Sequence, residues 1–296
     1  MRENFLRNPR EQKRSRPGSG IVELQSQYMR YLLYIDILGF SDLVVGKADK
    51  VEDLYEVIAS LNVHRHPTFK AIVFSDTLLV YNITGGDTPA EARYVVMFLS
   101  EFAQDLQHRL TQRGIVFRGV IVRDNFRHYE LNGIPCFFGS ALVDAYQSEK
   151  PIKAIGLFID RTIEKASHIF KTTAYNDRFS FVFITQSIDK LEYTFGGRFP
   201  IDRFELQETD LIWMLTPELL YLRQLHLQMQ FHPIDAVRVK YANTWALYSA
   251  QYPKTTQHLV NSNFDLERVC PGASWDKVLA RFPQSYSFAV ETRREY

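Results

Sequence analysis

From residue 31 the chain alternates between short, nearly unbroken apolar runs and longer stretches of helical period. Residues 31–38 are apolar except for Asp36, the pattern of a central strand buried on both faces. Gly39 breaks the run, and Ser41 or Asp42 is placed to cap the helix that follows. Val51, Leu54, Tyr55, Ile58 and Leu61 then keep a helical period. Residues 69–81 have the length of two short strands interrupted at Ser75, Asp76 and Thr77, which predicts a tight hairpin with Asp76 at its tip. An amphipathic helix is expected over 91–110, with Val95, Phe98, Leu99, Phe102, Leu106 and Leu110 on one stripe and Gly114 to stop it. Next come a strand at 115–123, a turn at 124–127, a shorter strand at 134–138 and a helix capped by Ser140 that runs to Lys150. A strand at 154–159 and a helix at 161–170 complete the series.

That order of elements implies an α+β fold, a mixed sheet with helices mainly on one face, as in an elaborated ferredoxin-like arrangement. Past residue 175 the pattern thins to strands at 179–184 and 191–195 and helices at 217–230 and 233–252. Three parts are expected: a disordered basic arm over 1–26, the α+β domain over 27–200, and a mainly helical C-terminal extension over 201–296. The extension is expected to pack on that domain or on a dimer partner.

Composition changes this picture little. Hydrophobic residues make up 46% of the chain and charged residues 23%, ordinary for a globular protein. Two cysteines, Cys136 and Cys270, give no disulfide framework and point to a reducing compartment. A net charge of +1 supplies no global field for nucleic acid or membrane. The local exception is the arm, where Arg2, Arg7, Arg10, Lys13, Arg14 and Arg16 precede a Pro-Gly-Ser-Gly breaker. It reads as a solvated tail, with contact to phosphates or acidic lipid as the other use of such charge. No apolar run is long enough to span a bilayer, so the expected location is the cytoplasm.

Two carboxylates stand out by position. Asp36 and Asp76 each interrupt an otherwise apolar strand or hairpin, where an unpaired charge is costly to bury. If the hairpin lies beside the first strand, both acids meet at one place and could hold two Mg²⁺ or Mn²⁺ ions, hard cations that prefer oxygen ligands. Equally, Asp36 could pair with an arginine while Asp76 only makes a turn. His64 and His66 read as part of a solvated loop, and Gly85-Gly86 as a turn.

The blocks around these acids resemble a known family. Asp36 followed by Gly39-Phe40-Ser41 is similar to the first metal-site strand of class III adenylyl and guanylyl cyclases, and residues 74–78 to their second metal-site hairpin. Arg118-Gly119-Val120-Ile121 resembles their central strand, and the run Phe138-Gly139-Ser140-Ala141-Leu142-Val143, then Ala145 and Glu149, resembles the start of the helix after it. Within that superfamily, the Phe74-Ser75-Asp76 hairpin and the block from Phe138-Gly139 through Ala145-Tyr146 resemble those of the bacterial pyrimidine nucleotide cyclases of Pycsar antiphage systems. The resemblance implies a cyclase catalytic domain over 27–200, with Asp36, Asp76 and the Ile37 carbonyl holding two Mg²⁺ or Mn²⁺ ions. It implies a nucleoside triphosphate substrate, with Phe40 and Ser41 near its phosphates. It further implies a head-to-tail homodimer, an effector protein that senses the product, and no nucleic-acid partner.

Departures from the family pattern bear on substrate and mechanism. The two base-reading positions are Ile72 and Cys136. Ile72 cannot form the hydrogen bonds that read a purine edge, which favours UTP or CTP as substrate and cyclic UMP or CMP as product. The positions of the family's helix asparagine and arginine are Val143 and Gln147. Arg118 and Arg123 are then the expected cations at the reacting phosphorus, with Arg127 behind them. Alternatively, Arg118 is a strand-end ion pair worth little at a surface. The alternatives to a pyrimidine cyclase are a purine cyclase, a catalytically inactive nucleotide sensor, and a dimeric scaffold driven by the helical extension in which the acids are incidental.

Overall fold

A computed structural model describes residues 28–280, apart from 47, 112 and 208–210. The expected basic arm over 1–26 and the last part of the extension therefore lie outside the described residues.

The fold is α+β. Strand β1 (Met29–Leu38) is followed by helices α1 (Phe40–Gly46) and α2 (Ala48–Ala59), the hairpin β2 (Phe69–Phe74) and β3 (Thr77–Asn82), and helix α3 (Pro89–Thr111). Next come β4 (Val116–Asn125), the ribbon β5 (Arg127–Leu131) and β6 (Ile134–Phe138), helix α4 (Ser140–Glu149) and β7 (Gly156–Asp160). Strands β8 (Thr172–Ala174) and β9 (Phe179–Val182) complete a seven-stranded sheet in the order β2-β3-β1-β4-β7-β9-β8. The β4–β7 pair is parallel, because α4 lies between those strands in the chain; the other pairs are antiparallel.

Helices cover both faces of this sheet, not mainly one. On one face Leu33, Ile35 and Ile37 of β1 join Val95, Leu99, Phe102 and Leu106 of α3. On the other, Leu32 and Tyr34 share a core with Ala141 and Ala145 of α4 and with helices α5 (Leu211–Phe231) and α6 (Asp235–Gln251). There Tyr248 sets its ring edge-on to Phe181 and Phe183, with centroids 5.7 and 5.5 Å apart. Burial on both sides is why β1 reads as a continuous apolar run. Asp36 shares the face of Leu32 and Tyr34, toward α4 and the C-terminal helices.

Several expected elements take another form. Residues 161–170 hold turns and one short 3₁₀ segment, Glu164–Ala166, in place of a helix. Residues 191–195 alternate like a strand, yet Lys190–Thr194 is a single π-helical turn. The reason is Glu192, whose buried carboxylate accepts from Thr255 N and Thr255 Oγ1, both at 2.8 Å, and so caps helix α7 (Pro253–Asn261). Ser140 is the first residue of α4 and Gly139 its cap, with no side-chain hydrogen bond. Gly139 adopts φ 154°, and a Cβ there would fall 2.1 Å from the Asn125 carbonyl oxygen, so no other residue fits.

Candidate functional site

The sheet register brings the two aspartates together. Asp36 pairs with Thr77 across the β1–β3 ladder, and Ile37 N donates to the Asp76 carbonyl at 2.9 Å. Asp76 sits in the two-residue turn between Phe74 and Thr77, where Ser75 takes φ 54°. The Tyr55 hydroxyl of α2 donates to the Ser75 carbonyl at 3.2 Å and holds that turn down. In a strand the N–H and C=O of one residue point to the same side, so the Ile37 carbonyl faces the hairpin as well.

Both carboxylates are half-buried, and among the described residues neither side chain accepts a hydrogen bond. Burial pushes the Asp36 carboxyl above the usual range; Arg118 opposes that shift and the charge of Asp76 adds to it. A half-buried acid pair without donors suits hard divalent cations, which would take the place of the missing hydrogen bonds. Among the described residues, no group of three or more His, Cys, Asp or Glu side chains forms a ready-made metal cluster. The fit is therefore two carboxylates plus the Ile37 carbonyl.

Arg118 lies directly opposite Asp36 in the β1–β4 ladder, with Nη2 3.6 Å from Asp36 Oδ2. It is buried rather than at a surface, and its stronger bonds go elsewhere. Nε donates to Glu149 Oε1, and Nη1 donates to the Ile152 carbonyl at 2.6 Å. Burial raises the Glu149 carboxyl, and Arg118 pulls it back down. Arg118 thus ties the end of α4 and the chain at 152 to the strand bearing Asp36. Its guanidinium is committed inside the protein, which makes it a positioning residue for Asp36.

The other expected site residues divide. Arg123 pairs with Tyr31 at the far end of the same ladder, five residues and roughly 17 Å from Arg118, and contacts Asp87 at 3.4 Å. The structure does not bring it to the aspartates. Arg127 stacks over Tyr28 at 3.9 Å on the β5–β6 ribbon, away from Arg118. Phe40 is buried in the core against the Tyr55 ring, so it supports the site from behind. Ser41 is exposed in the first turn of α1. Ile72 is half-buried on β2 and Cys136 half-buried on β6, in two separate sheets. Two members were not read as site residues from the sequence: Glu149, whose charge is ordinary at a helix end, and Lys240 of α6, which feels the charges of Asp36, Glu149 and Arg118. No local sequence signal marks Lys240.

No protein-family model matches the chain, and no curated protein does. Among solved structures, the chain is similar to the adenylyl cyclase CyaB from P. aeruginosa, at 12% identity over 52% of this chain and 93% of that one, with a TM-score of 0.37. It is similar also to the guanylyl cyclase domain of the RhoGC fusion protein from the aquatic fungus Blastocladiella emersonii, at 13% identity over 52% and 94%, with a TM-score of 0.40. Adenylate cyclases from Trypanosoma brucei align at 14% identity over 52% and 87%, with a TM-score of 0.35.

Proposed function

We propose that the chain is a class III-type nucleotidyl cyclase that converts UTP or CTP to the 3′,5′-cyclic monophosphate and pyrophosphate. The observation that carries this reading is the convergence on adjacent strand ends of Asp36 and Asp76, two half-buried acids without hydrogen-bond donors among the described residues. Asp36, Asp76 and the Ile37 carbonyl would hold two Mg²⁺ or Mn²⁺ ions, which supply Lewis-acid polarisation and neutralise phosphate charge when bound. The reaction is an in-line displacement. The substrate 3′-oxygen bonds to the α-phosphorus, the bond from that phosphorus to the bridging oxygen breaks, pyrophosphate leaves with the electron pair, and the hydroxyl proton passes to solvent. Arg118 and Glu149 keep Asp36 in place, and Tyr55 keeps the Asp76 turn in place.

Ile72, with no hydrogen-bonding group at a base-reading position, supports a pyrimidine substrate. A homodimer is supported by apolar side chains left exposed on the ribbon and α4: Tyr129, Leu131, Ile134, Phe138, Val143 and Tyr146. In this reading the product is a second messenger for an effector protein in antiphage defence, as the sequence resemblance implies. The deciding experiment is incubation of the purified full chain with Mn²⁺ and each of four nucleoside triphosphates, followed by assay of pyrophosphate and cyclic product. Turnover of UTP or CTP is expected. Turnover confined to ATP or GTP would remove the pyrimidine assignment, and binding without turnover would make the chain a sensor.

A further inference from the structure

The cyclase reading leaves one charge unaccounted for. A reacting triphosphate needs a protein cation, yet Arg118 is committed to Glu149 and the Ile152 carbonyl, and Arg123 is at the wrong end of its strand. Position 147, on the exposed face of α4, is glutamine.

Helix α6 carries a cation to this place. Thr244 Oγ1 accepts from Ile155 N at 2.7 Å and lies 3.1 Å from the Ile155 carbonyl; Asn243 Nδ2 donates to the Lys153 carbonyl at 2.6 Å. These bonds pin α6 to the segment immediately before Gly156, the residue that pairs with Arg118 in the β4–β7 ladder. The same segment offers the Ile152 carbonyl to Arg118. Lys240 lies one turn before Thr244 on the same face of α6, and its carbonyl accepts from Thr244 Oγ1 at 3.0 Å.

The side chain is half-buried, and among the described residues its ammonium forms no ion pair. Burial lowers its pKa, Arg118 lowers it further, and Asp36 and Glu149 oppose that shift. A surface lysine would extend its amine to water. This one is half-buried on the face of α6 that Thr244 holds against the segment beside Arg118, within reach of the fields of Asp36, Glu149 and Arg118.

We propose that Lys240 binds the substrate's phosphates, so that the C-terminal helices supply from the same chain the cation that the sheet domain lacks. The inference rests on the cyclase reading of the same site. A compact ammonium suits contact with a non-bridging phosphate oxygen as a point charge. Lys240 would meet the triphosphate from the side of α6 while Asp36 and Asp76 address it from the strand ends.

The test compares the full-length Lys240→Met and Lys240→Arg variants with the parent chain. Three quantities are measured: pyrophosphate release from UTP with Mn²⁺, calorimetric binding of inorganic tripolyphosphate in EDTA, and thermal midpoint. For Lys240→Met, tripolyphosphate binding and kcat/KM should each fall about 10–100-fold, the loss of one charged contact, with an unchanged midpoint. Lys240→Arg should restore most of both. Parent-like binding and turnover in Lys240→Met would overturn the inference while leaving the cyclase reading intact. So would a lowered midpoint that Lys240→Arg does not restore, since that pattern belongs to a structural lysine. A parent chain that neither binds tripolyphosphate nor turns over any of the four triphosphates would overturn the cyclase reading and this inference with it.

Discussion

The C-terminal helices and the sheet ends both carry carboxylates away from water, and they treat them in opposite ways. Glu218, fully buried in α5, accepts from Ser187 N and Ile188 N at 2.9 Å each and faces His108 Nε2 at 3.6 Å. Glu192 is supplied with donors in the same way at the start of α7. Asp36 and Asp76 are less buried, yet have no hydrogen-bond donor among the described residues. A structural carboxylate is given its partners by the fold, because an unpaired buried charge costs several kcal/mol. Asp36 and Asp76 lack such donors among the described residues, and in the proposed function the metal ions take that place. Burial alone does not separate a scaffold acid from a site acid; the donor count does.

The largest expected effect breaks the scaffold side of this contrast. Glu218→Ala should lower the free energy of unfolding by about 3–5 kcal/mol in denaturant titrations, because two backbone N–H groups lose their acceptor. Turnover per folded molecule should stay within about twofold of the parent, since Glu218 bonds to Ser187, Ile188 and His108 and not to the aspartates or Arg118. Asp76→Ala should do the reverse. Even outer-shell partners of a metal cost about 10–100-fold in activity, so loss of a side chain proposed to ligate the metals directly should cut turnover by more than ~100-fold. The thermal midpoint should be kept, because the Asp76 side chain makes no hydrogen bond or ion pair among the described residues. A stable Glu218→Ala or an active Asp76→Ala would each undo the comparison.

A subtler test uses pH. Burial raises the Glu218 carboxyl above its ordinary value of 4.5, with His108 and the two backbone N–H groups opposing the shift. The folded chain therefore keeps a proton that the unfolded chain has released. Its contribution to stability is fully present below 4.5, declines as pH rises through the raised folded value, and then levels off. Thermal midpoints measured from pH 4.5 upward should fall more steeply in the parent than in Glu218→Gln. Equal slopes would mean that this carboxyl does not titrate differently on folding. The smallest effect is expected at the far end of the ladder. Arg123→Ala should change stability by no more than about 1 kcal/mol, because its partner Asp87 is exposed, and should leave turnover unchanged. A large loss of turnover would return Arg123 to the reaction.

What could be read from the sequence follows the same physics. Asp36 and Asp76 were legible because a charge inside an apolar run breaks its own pattern, and the strands around them followed from those runs. Lys240 was not, and Glu149 was legible only as part of the family-like helix block and not as the partner of Arg118, since charges are ordinary on amphipathic helices and only the tertiary fold shows which of them turn inward. Arg123 was misplaced because charge and proximity in sequence do not say which end of a strand a residue occupies. The strand expected at 191–195 failed for a related reason. Its alternation is real, but Glu192 is needed as a cap for a helix 60 residues later, and that demand overrides local preference. Coverage of the second sheet face was hidden too. Helix α5 is apolar nearly all round, so its sequence does not reveal which side meets the sheet.

The grip of Thr244 on Ile155 also sets an order of events in time. These two residues are 89 positions apart, so the bond closes only after a long loop of chain has been brought round. On the ribosome both aspartates and their strands emerge early, while α6 emerges roughly 150 residues later, at 5–20 residues per second. For that interval, one face of the sheet waits with its aromatic side chains uncovered. The nascent chain passes through a stage in which the acids are in place and their covering helices are not, and it is then that a chaperone has the most apolar surface to hold.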